Sequence, residues 1–179
     1  ANPVRIFLVG DESVINDELK KHDYSSDSLK IIHTPDSISM DELPIKAMVN
    51  KPNASILVAA SLVSDGKADA LVSAGSTGSV VLSAAKHISR IPSVKRPAIA
   101  TVYPTLNEFK RDDHLALMVD IGANVESSAQ ELVQFAIMGS TYVTKVRGVG
   151  SPKSALLNMG EEETKGSEKI QTTYRMLKE

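Results

Sequence analysis

The chain has 179 residues, a formal net charge of −2 at pH 7 and no cysteine. A chain of this length buries roughly 70% of the surface that its unfolded form exposes, so it needs no disulfide or metal in order to fold. The lack of cysteine excludes disulfides, a thiolate nucleophile and thiolate metal sites. The near-neutral charge gives no global field that would draw the chain to nucleic acid or to an anionic membrane.

Short β-rich runs alternate with helical patterns along the whole chain. In chain order, the predicted elements are a strand at residues 5–9, a helix at 13–21, a strand at 29–33, a loop at 34–43, a helix at 54–65, a strand at 70–73, a helix ending near 87, strands at 98–102 and 115–119, a helix at 129–146, a strand at 155–157 and a helix at 167–178. The longest stretch without a charge, residues 70–85, is too short and too polar to span a bilayer. We therefore expect a cytoplasmic protein.

The order of strand, glycine loop and helix repeats without hairpin signals such as Asn-Gly, which is typical of parallel βαβ units. We predict an α/β fold with a doubly wound, mostly parallel sheet, helices on both faces, and a single domain over residues 1–179. We also expect a piece of a longer chain, because the sequence opens without an initiator Met and stops inside a predicted helix. In such sheets ligands bind beyond the carboxyl ends of the strands, so the loops after the strands are the candidate sites.

Three of these loops, at residues 73–79, 120–124 and 158–166, combine glycine with polar side chains. In the first loop, Gly75 and Gly78 flank Ser76 and Thr77, and the following helix offers free amides, so the loop is a candidate phosphate cradle. The alternative is an ordinary strand-to-helix turn in which a hydroxyl caps the helix.

The other two loops leave similar alternatives. Asp120 and Asn124 either orient a substrate group or a water, or cap their own loop and the next helix. Lys165 lies between glycines ahead of a helix, where an ammonium group either pairs with phosphate or a developing oxyanion, or remains a solvated surface charge balanced by the glutamates at 161–163.

Other types of site receive no support from the sequence. The glycines at 148–150 and 160–166 match neither a Walker A loop nor a dinucleotide fingerprint, the four histidines lack metal-ligand spacing, and no Gly-x-Ser-x-Gly elbow occurs. We therefore predict no cofactor and no metal. Four cations, Lys86, Arg90, Lys95 and Arg96, lie within eleven residues and either attract an acidic partner or are merely solvated.

The long helix at 129–146 is apolar beyond one face, which suggests burial against the sheet and against a second surface, either another subunit or further parts of the chain.

Several short motifs occur in one order over nearly the whole chain. They are Leu-Val-Gly-Asp at 8–11, Gly-Lys-Ala-Asp-Ala at 66–70, Ser-Ala-Gly-Ser-Thr-Gly at 73–78, Arg-Ile-Pro at 90–92, Arg-Pro-Ala at 96–98, Pro-Thr at 104–105, Asp-Ile-Gly-Ala-Asn-Val at 120–125, the run at 131–140, Leu-Leu-Asn-Met-Gly-Glu-Glu at 156–162, and Lys-Gly at 165–166. With these motifs the sequence resembles the bacterial phosphate acyltransferases of phospholipid synthesis, the acyl-carrier-protein:phosphate transacylases.

The resemblance implies transfer of a fatty acyl group from the acyl-carrier-protein thioester to inorganic phosphate. It also implies a fold like that of isopropylmalate-type dehydrogenases and phosphotransacetylases, a homodimer, and peripheral membrane association. At the matching positions, residues 75–78 and the segment Lys165, Gly166, Ser167 and Glu168 would line the phosphate and acyl-transfer site. Lys165 and Asn124 would act in catalysis, and Asp120 would bind or support the phosphate.

The chain departs from the family pattern at several positions. Ser76 and Ser167 stand where the family usually has Asn, and the basic run before residue 54 keeps only Lys46 and Lys51. The family's opening Asp-Ala-Met-Gly-Gly-Asp loop and its later Asp-Gly-Phe-Thr-Gly-Asn loop do not occur in the 179 residues. Two alternatives therefore stay open: a phosphotransacetylase-like enzyme that uses a small acyl-coenzyme A, and a non-catalytic module for carrier-protein binding or dimerisation.

Overall fold

The computed structural model describes residues 4–106 and 114–179. The chain divides into two compact units, residues 1–90 (unit 1) and residues 91–179 (unit 2). Both units combine strands with helices, so the predicted α/β class is confirmed. No helix in the described ranges has the length and apolar character that crossing a bilayer requires.

The described residues of unit 1 form two strands and four α-helices, besides a short 3-10 turn at Ser26–Ser28: β1 (Ile6–Gly10), α1 (Glu12–Leu19), β2 (Leu29–His33), α2 (Pro44–Asn50), α3 (Ser55–Ser64) and α4 (Thr77–His87). β1 and β2 pair in parallel, with Ile6 opposite Leu29 and Gly10 opposite His33. Asp11 begins α1 because its carboxylate accepts the amides of Ser13 and Val14, at 2.8 and 3.1 Å.

The core of unit 1 lies where α2, α3 and α4 pack together. Met48, Ala54 and Leu57 are buried there, and Leu82 of α4 covers them from one side. α4 approaches α2 closely because Gly78 has no side chain: a Cβ at that position would lie 3.0 Å from Cγ of Pro44. This packing fixes the first turn of α4, which follows the loop predicted to bind phosphate.

Unit 2 contains β3 (Ala100–Pro104), β4 (Leu115–Val119), α5 (Ala129–Arg147) and α6 (Glu168–Lys178). β3 and β4 pair antiparallel, with Ala100 opposite Val119. α5 lies close against β4, because a Cβ at Gly139 would come 3.1 Å from Cγ2 of Val119. A reciprocal capping box of Ser128 and Glu131 begins α5, and the left-handed Gly148 ends it.

Most predicted elements are present within a few residues of their expected bounds, but three expectations need correction. Residues 70–73 and 155–157 are not strands: Val72 and Leu157 are 94% and 86% exposed, and no described strand pairs with either run. α2 lies in a segment for which no element was predicted. The doubly wound, mostly parallel sheet and the single domain remain predictions.

Candidate functional site

The loop before α4 leads into a helix that begins without a side-chain cap. Ser76 occupies the N-cap position, yet its side chain makes no capping hydrogen bond. Gly75 turns the chain, and its amide donates to Oγ of Ser73 at 3.1 Å. The turn is therefore held by Ser73. The amides of Thr77 and Gly78 have no side-chain cap and no partner within the helix, whose first intrahelical bond runs from the amide of Val80 to the carbonyl oxygen of Ser76 at 3.0 Å.

A small cavity of about 60 Å³ lies at this point of unit 1. Its lining comes from the start of α3, the start of α4, the loop between them and one residue of the loop before α2: Ser55, Ile56, Ser73, Gly75, Ser76, Ser79, Val80 and Ile38. α3 also begins without a side-chain cap, because its N-cap residue is Ala54. Two helix N-termini thus contribute to one cavity, and each carries about half a positive charge from the helix dipole.

Ser55 and Ser79 are functional candidates to which the sequence prediction gave no role, although Ser79 is the last residue of the candidate loop at 73–79. Ser79 is 2% exposed, and its Oγ has no hydrogen-bond partner among the described residues. Ser79 could have been found from its spacing, since it follows Ser76 by three residues and so lies on the same face of α4. Ser55 has no local signal: it lies twenty residues before Gly75 and reaches the cavity only through the packing of α3 on α4.

In unit 2 the structure brings Asp120 and Asn124 together. Nδ2 of Asn124 donates to one carboxylate oxygen of Asp120 at 3.0 Å, and Oγ of Ser127 donates to the other at 2.7 Å. The same Asn124 amide also reaches the carbonyl oxygen of Pro97 at 3.3 Å. Both Asp120 oxygens therefore brace their own loop, and a role of this pair toward substrate stays a prediction.

Lys165 lies in a loop of unit 2 that two glycines shape. Its stem rests on Gly160, where a Cβ would lie 3.0 Å from Cγ of Lys165, and its backbone amide donates to the carbonyl oxygen of Glu162 at 3.0 Å. Gly166 has a φ of 84°, and any side chain there would collide with Asn158. The Lys165 side chain itself is exposed.

The segment after Lys165 is anchored to α6. Ser167 caps the helix by accepting the amide of Ile170 at 3.4 Å, and Glu168 is the exposed first residue of the helix. The side-chain amide of Gln171 donates to the carbonyl oxygens of Thr164 and Gly166, at 2.8 and 3.3 Å. The loop therefore has a defined conformation, and the hydroxyl of Ser167 is used in the cap.

The glutamates near Lys165 are not all available to balance its charge. Glu163 accepts from Nζ of Lys178 and from the hydroxyl of Tyr174, both at 2.8 Å. These hydrogen bonds lower the pKa of Glu163, the Lys178 bond most, and raise the pKa of Lys178 above its ordinary value. The sequence leaves open that the glutamates at 161–163 balance the charge of Lys165. Because Glu163 is already paired with Lys178, all three glutamates together do not do so.

The four predicted partner-binding cations are distributed over both units. Lys86 lies in the last turn of α4, and Arg90 is an exposed residue at the end of unit 1. In unit 2, Nε of Arg96 pairs with Oε1 of Glu131 at 3.1 Å, and the backbone amide of Lys95 donates to Gln134 at 3.1 Å. The segment carrying Lys95 and Arg96 is therefore fixed to the start of α5.

The part of the chain that the structure describes contains no group of three or more His, Asp or Glu side chains arranged to hold a metal ion.

The sequence is similar to known proteins over its whole length. The model of the family described as "Fatty acid synthesis protein" matches residues 1–179. The chain is 46% identical over 177 residues to the phosphate acyltransferase of Heliobacterium modesticaldum, and 41% identical over 175 residues to that of Dictyoglomus turgidum. Each alignment covers 98% of this chain and 51% of the relative. The chain thus spans about half the length of the curated relatives it matches.

Proposed function

We propose that this chain, which belongs to the fatty acid synthesis protein family, carries phosphate acyltransferase function. The reaction is transfer of a fatty acyl group from the acyl-carrier-protein thioester to inorganic phosphate, and the acyl phosphate then enters phospholipid synthesis. The relatives named phosphate acyltransferase support the reaction class. The observation that carries the proposal in this chain is the cavity at the N-termini of α3 and α4, beside the loop at residues 75–78.

The chemistry needs no cofactor. A phosphate oxygen attacks the thioester carbonyl, a carbon–oxygen bond forms, and the carbon–sulfur bond breaks as the electron pair leaves on the thiolate. Phosphate is already an oxyanion at pH 7, so the protein has mainly to hold it in line with the carbonyl and to stabilise the tetrahedral oxyanion. Helix N-termini and hydroxyl groups suit this task because they bind anions without supplying a proton-transfer group.

Each predicted residue then has a role in the proposal. The amides of residues 76–78, with the hydroxyls of Ser76 and Thr77, hold phosphate, and Gly75, whose own amide is bound to Ser73, shapes the turn that presents them. Lys165 neutralises the charge of phosphate or of the oxyanion, and Gly166, with Ser167 and Glu168, sets the conformation from which Lys165 acts. Asn124 and Asp120 support the reacting groups through their loop.

The remaining features come from the family resemblance and belong to the same proposal. Acyl-carrier-protein is the acidic partner proposed for Lys86, Arg90, Lys95 and Arg96, whose positive charges would attract it. A doubly wound sheet, a homodimer, and a cytoplasmic location with peripheral membrane association are the corresponding expectations for the complete protein.

A chimaera tests the proposal, because the matched relatives are about twice as long as this chain. The 179 residues replace the matching half of the Heliobacterium modesticaldum phosphate acyltransferase, and acyl-phosphate formation is measured with acyl-carrier-protein thioester and phosphate. We expect turnover, and we expect Lys165→Ala to lower the rate on the order of a hundredfold, as the loss of one oxyanion donor does. Lys153→Ala, which removes another exposed Lys of unit 2, should leave the rate unchanged.

Three outcomes would contradict the proposal or part of it. A folded chimaera that prefers acetyl-coenzyme A would favour the phosphotransacetylase-like alternative. A chimaera that folds like the intact relative, yet forms no acyl phosphate from either donor, would favour the non-catalytic module. An unchanged rate for Lys165→Ala would remove Lys165 from the mechanism.

A further inference from the structure

No charged side chain lines the cavity of unit 1, so the dipoles of the two helices that begin there supply its positive partial charge. Its polar lining residues are four serines, at positions 55, 73, 76 and 79. α3 has 10 residues and α4 has 11, so each has a developed dipole whose positive end lies at the cavity. Neither helix has a side-chain cap. In α4 the amides of Thr77 and Gly78 therefore have no partner within the helix. In α3 the amide of Ser55 already donates to the carbonyl oxygen of Asp36 at 2.9 Å and that of Leu57 to the carbonyl oxygen of Ala54 at 2.8 Å, so α3 contributes its dipole and the hydroxyl of Ser55.

Ser79 provides a second and independent indication of a ligand. Its side chain is almost fully buried and lines the cavity, and its Oγ has no partner among the described residues. A buried hydroxyl without a hydrogen bond destabilises the folded state, so its presence at a cavity wall is explained if a ligand completes it. Ser83, one turn later in α4, is also buried without a described partner but does not line the cavity, so it serves as an internal control.

We infer that this cavity binds one free phosphate ion, with Ser79 holding it from the first turn of α4, beside the loop at residues 75–78, and Ser55 holding it from the N-terminus of α3. The identity of the anion as the acyl acceptor rests on the proposed function. The assignment of Ser55, Ser79 and α3 rests on the cavity itself. Ser79 is a binding residue that donates its hydroxyl proton to a phosphate oxygen, while Ser55 presents a second hydroxyl from the facing helix.

The size of the cavity fits a single phosphate group. One water needs about 10–15 Å³ of such volume, so 60 Å³ has room for roughly four to six water-sized groups. Phosphate has five heavy atoms. Coenzyme A offers the same chemical group, but most of its bulk would have to remain outside.

Phosphate binding by the 179-residue chain, measured by calorimetric titration without any acyl donor, tests the inference. We expect Ser79→Ala to weaken binding about tenfold or more, because a hydrogen bond to a charged group is lost. Ser55→Ala should weaken binding in the same direction, and Ser83→Ala should leave it unchanged. In phosphate-free buffer, Ser79→Ala should not lower the unfolding temperature, because it removes a polar atom that had no partner.

Three results would overturn the inference. The first is no binding of inorganic phosphate to the unsubstituted chain, and the second is an equal loss of phosphate affinity in Ser79→Ala and Ser83→Ala. The third is tighter binding of coenzyme A than of inorganic phosphate in a parallel titration. Should Ser79→Ala fail to fold, Ser79→Cys replaces it, because a thiol keeps the shape but donates only weakly. The readout is independent of the proposed reaction: an inactive chimaera with intact, Ser79-dependent phosphate binding would reject the acyl transfer and keep the site.

Discussion

At the scale of single residues, Asp120 shows how the structure uses a side chain that also fits a catalytic motif. Its backbone is left-handed, with a φ of 67°, a conformation that costs most residues about 1–2 kcal/mol and that Asp tolerates through local hydrogen bonds. Those bonds are present: Asn124 and Ser127 donate to its two oxygens. Asp120 therefore holds the loop after β4 in shape, whatever else it does.

Replacing Asp120 should destabilise unit 2 measurably. We expect Asp120→Ala to lower the free energy of unfolding by about 3 kcal/mol, because two hydrogen bonds to a carboxylate are lost and alanine disfavours the left-handed backbone. Asp120→Asn should cost less, since Asn tolerates this conformation and keeps one acceptor oxygen. Urea denaturation followed by circular dichroism measures both, with Glu126→Ala as an exposed control in the same loop. Unchanged stability in Asp120→Ala would mean that the network does not brace the loop.

At the scale of elements, α2 is clamped by a contact between the residues on its two sides. Glu42 lies just before α2, and Lys51 lies at the C-terminal end of the helix. The carboxylate of Glu42 accepts a hydrogen bond from Nζ of Lys51 at 2.7 Å. It also accepts from the amide and the hydroxyl of Ser39, at 2.9 and 2.7 Å. Lys51 also donates to the carbonyl oxygen of Ser37 at 2.8 Å. The Lys51 hydrogen bond, with those of Ser39, lowers the pKa of Glu42 from 4.5 to about 2.

The clamp predicts an acid-dependent loss of stability. Because the folded pKa of Glu42 lies below its unfolded value, the stabilisation is fully present above about pH 4.5 and is lost as the pH falls through about 2. Thermal unfolding between pH 7 and pH 2 should show Glu42→Gln less stable than the unsubstituted chain at pH 7, with the difference shrinking over that window. Glu12→Gln, at an exposed position of α1, is the control. A difference that stays constant down to pH 2 would contradict the assignment.

The elements also show what the sequence can and cannot predict. α5 and α6 were predictable because their signals are local: Ser128 and Ser167 cap them, and Gly148 ends α5. Residues 70–73 have an apolar strand-like run as well, but a strand also needs a neighbour, which local sequence does not specify. The same limit applies to the site. The loop at 75–78 is a local pattern, whereas Ser55 reaches the cavity only through the packing of helices.

At the scale of the whole molecule, the chain exposes more surface than its mass requires. Two separate compact units of half its 19.2 kDa would each expose roughly 5,100 Å², about 10,200 Å² together, whereas the structure exposes 13132 Å². Among the described residues only Ala47, Met48, Ala54, Leu57, Ala60 and Phe135 are buried hydrophobics, and Phe135 alone belongs to unit 2. β3 is exposed along all five residues. Apolar surface that the folded chain does not cover itself is thus a property of both units.

This excess surface predicts that the 179-residue chain binds an apolar dye such as anilinonaphthalene sulfonate while it is folded. In the chimaera with the Heliobacterium modesticaldum relative, dye fluorescence per molecule should fall and the unfolding temperature should rise, because burial of apolar area stabilises by about 25 cal/mol per Å². Val102→Ser, an outward-facing change in β3, should lower the fluorescence of the chain but have little effect on that of the chimaera if β3 is covered there. The intact relative supplies the reference for a covered surface. Equal dye binding by the folded chain, the chimaera and the relative would show that the exposed faces have no partner in the other half.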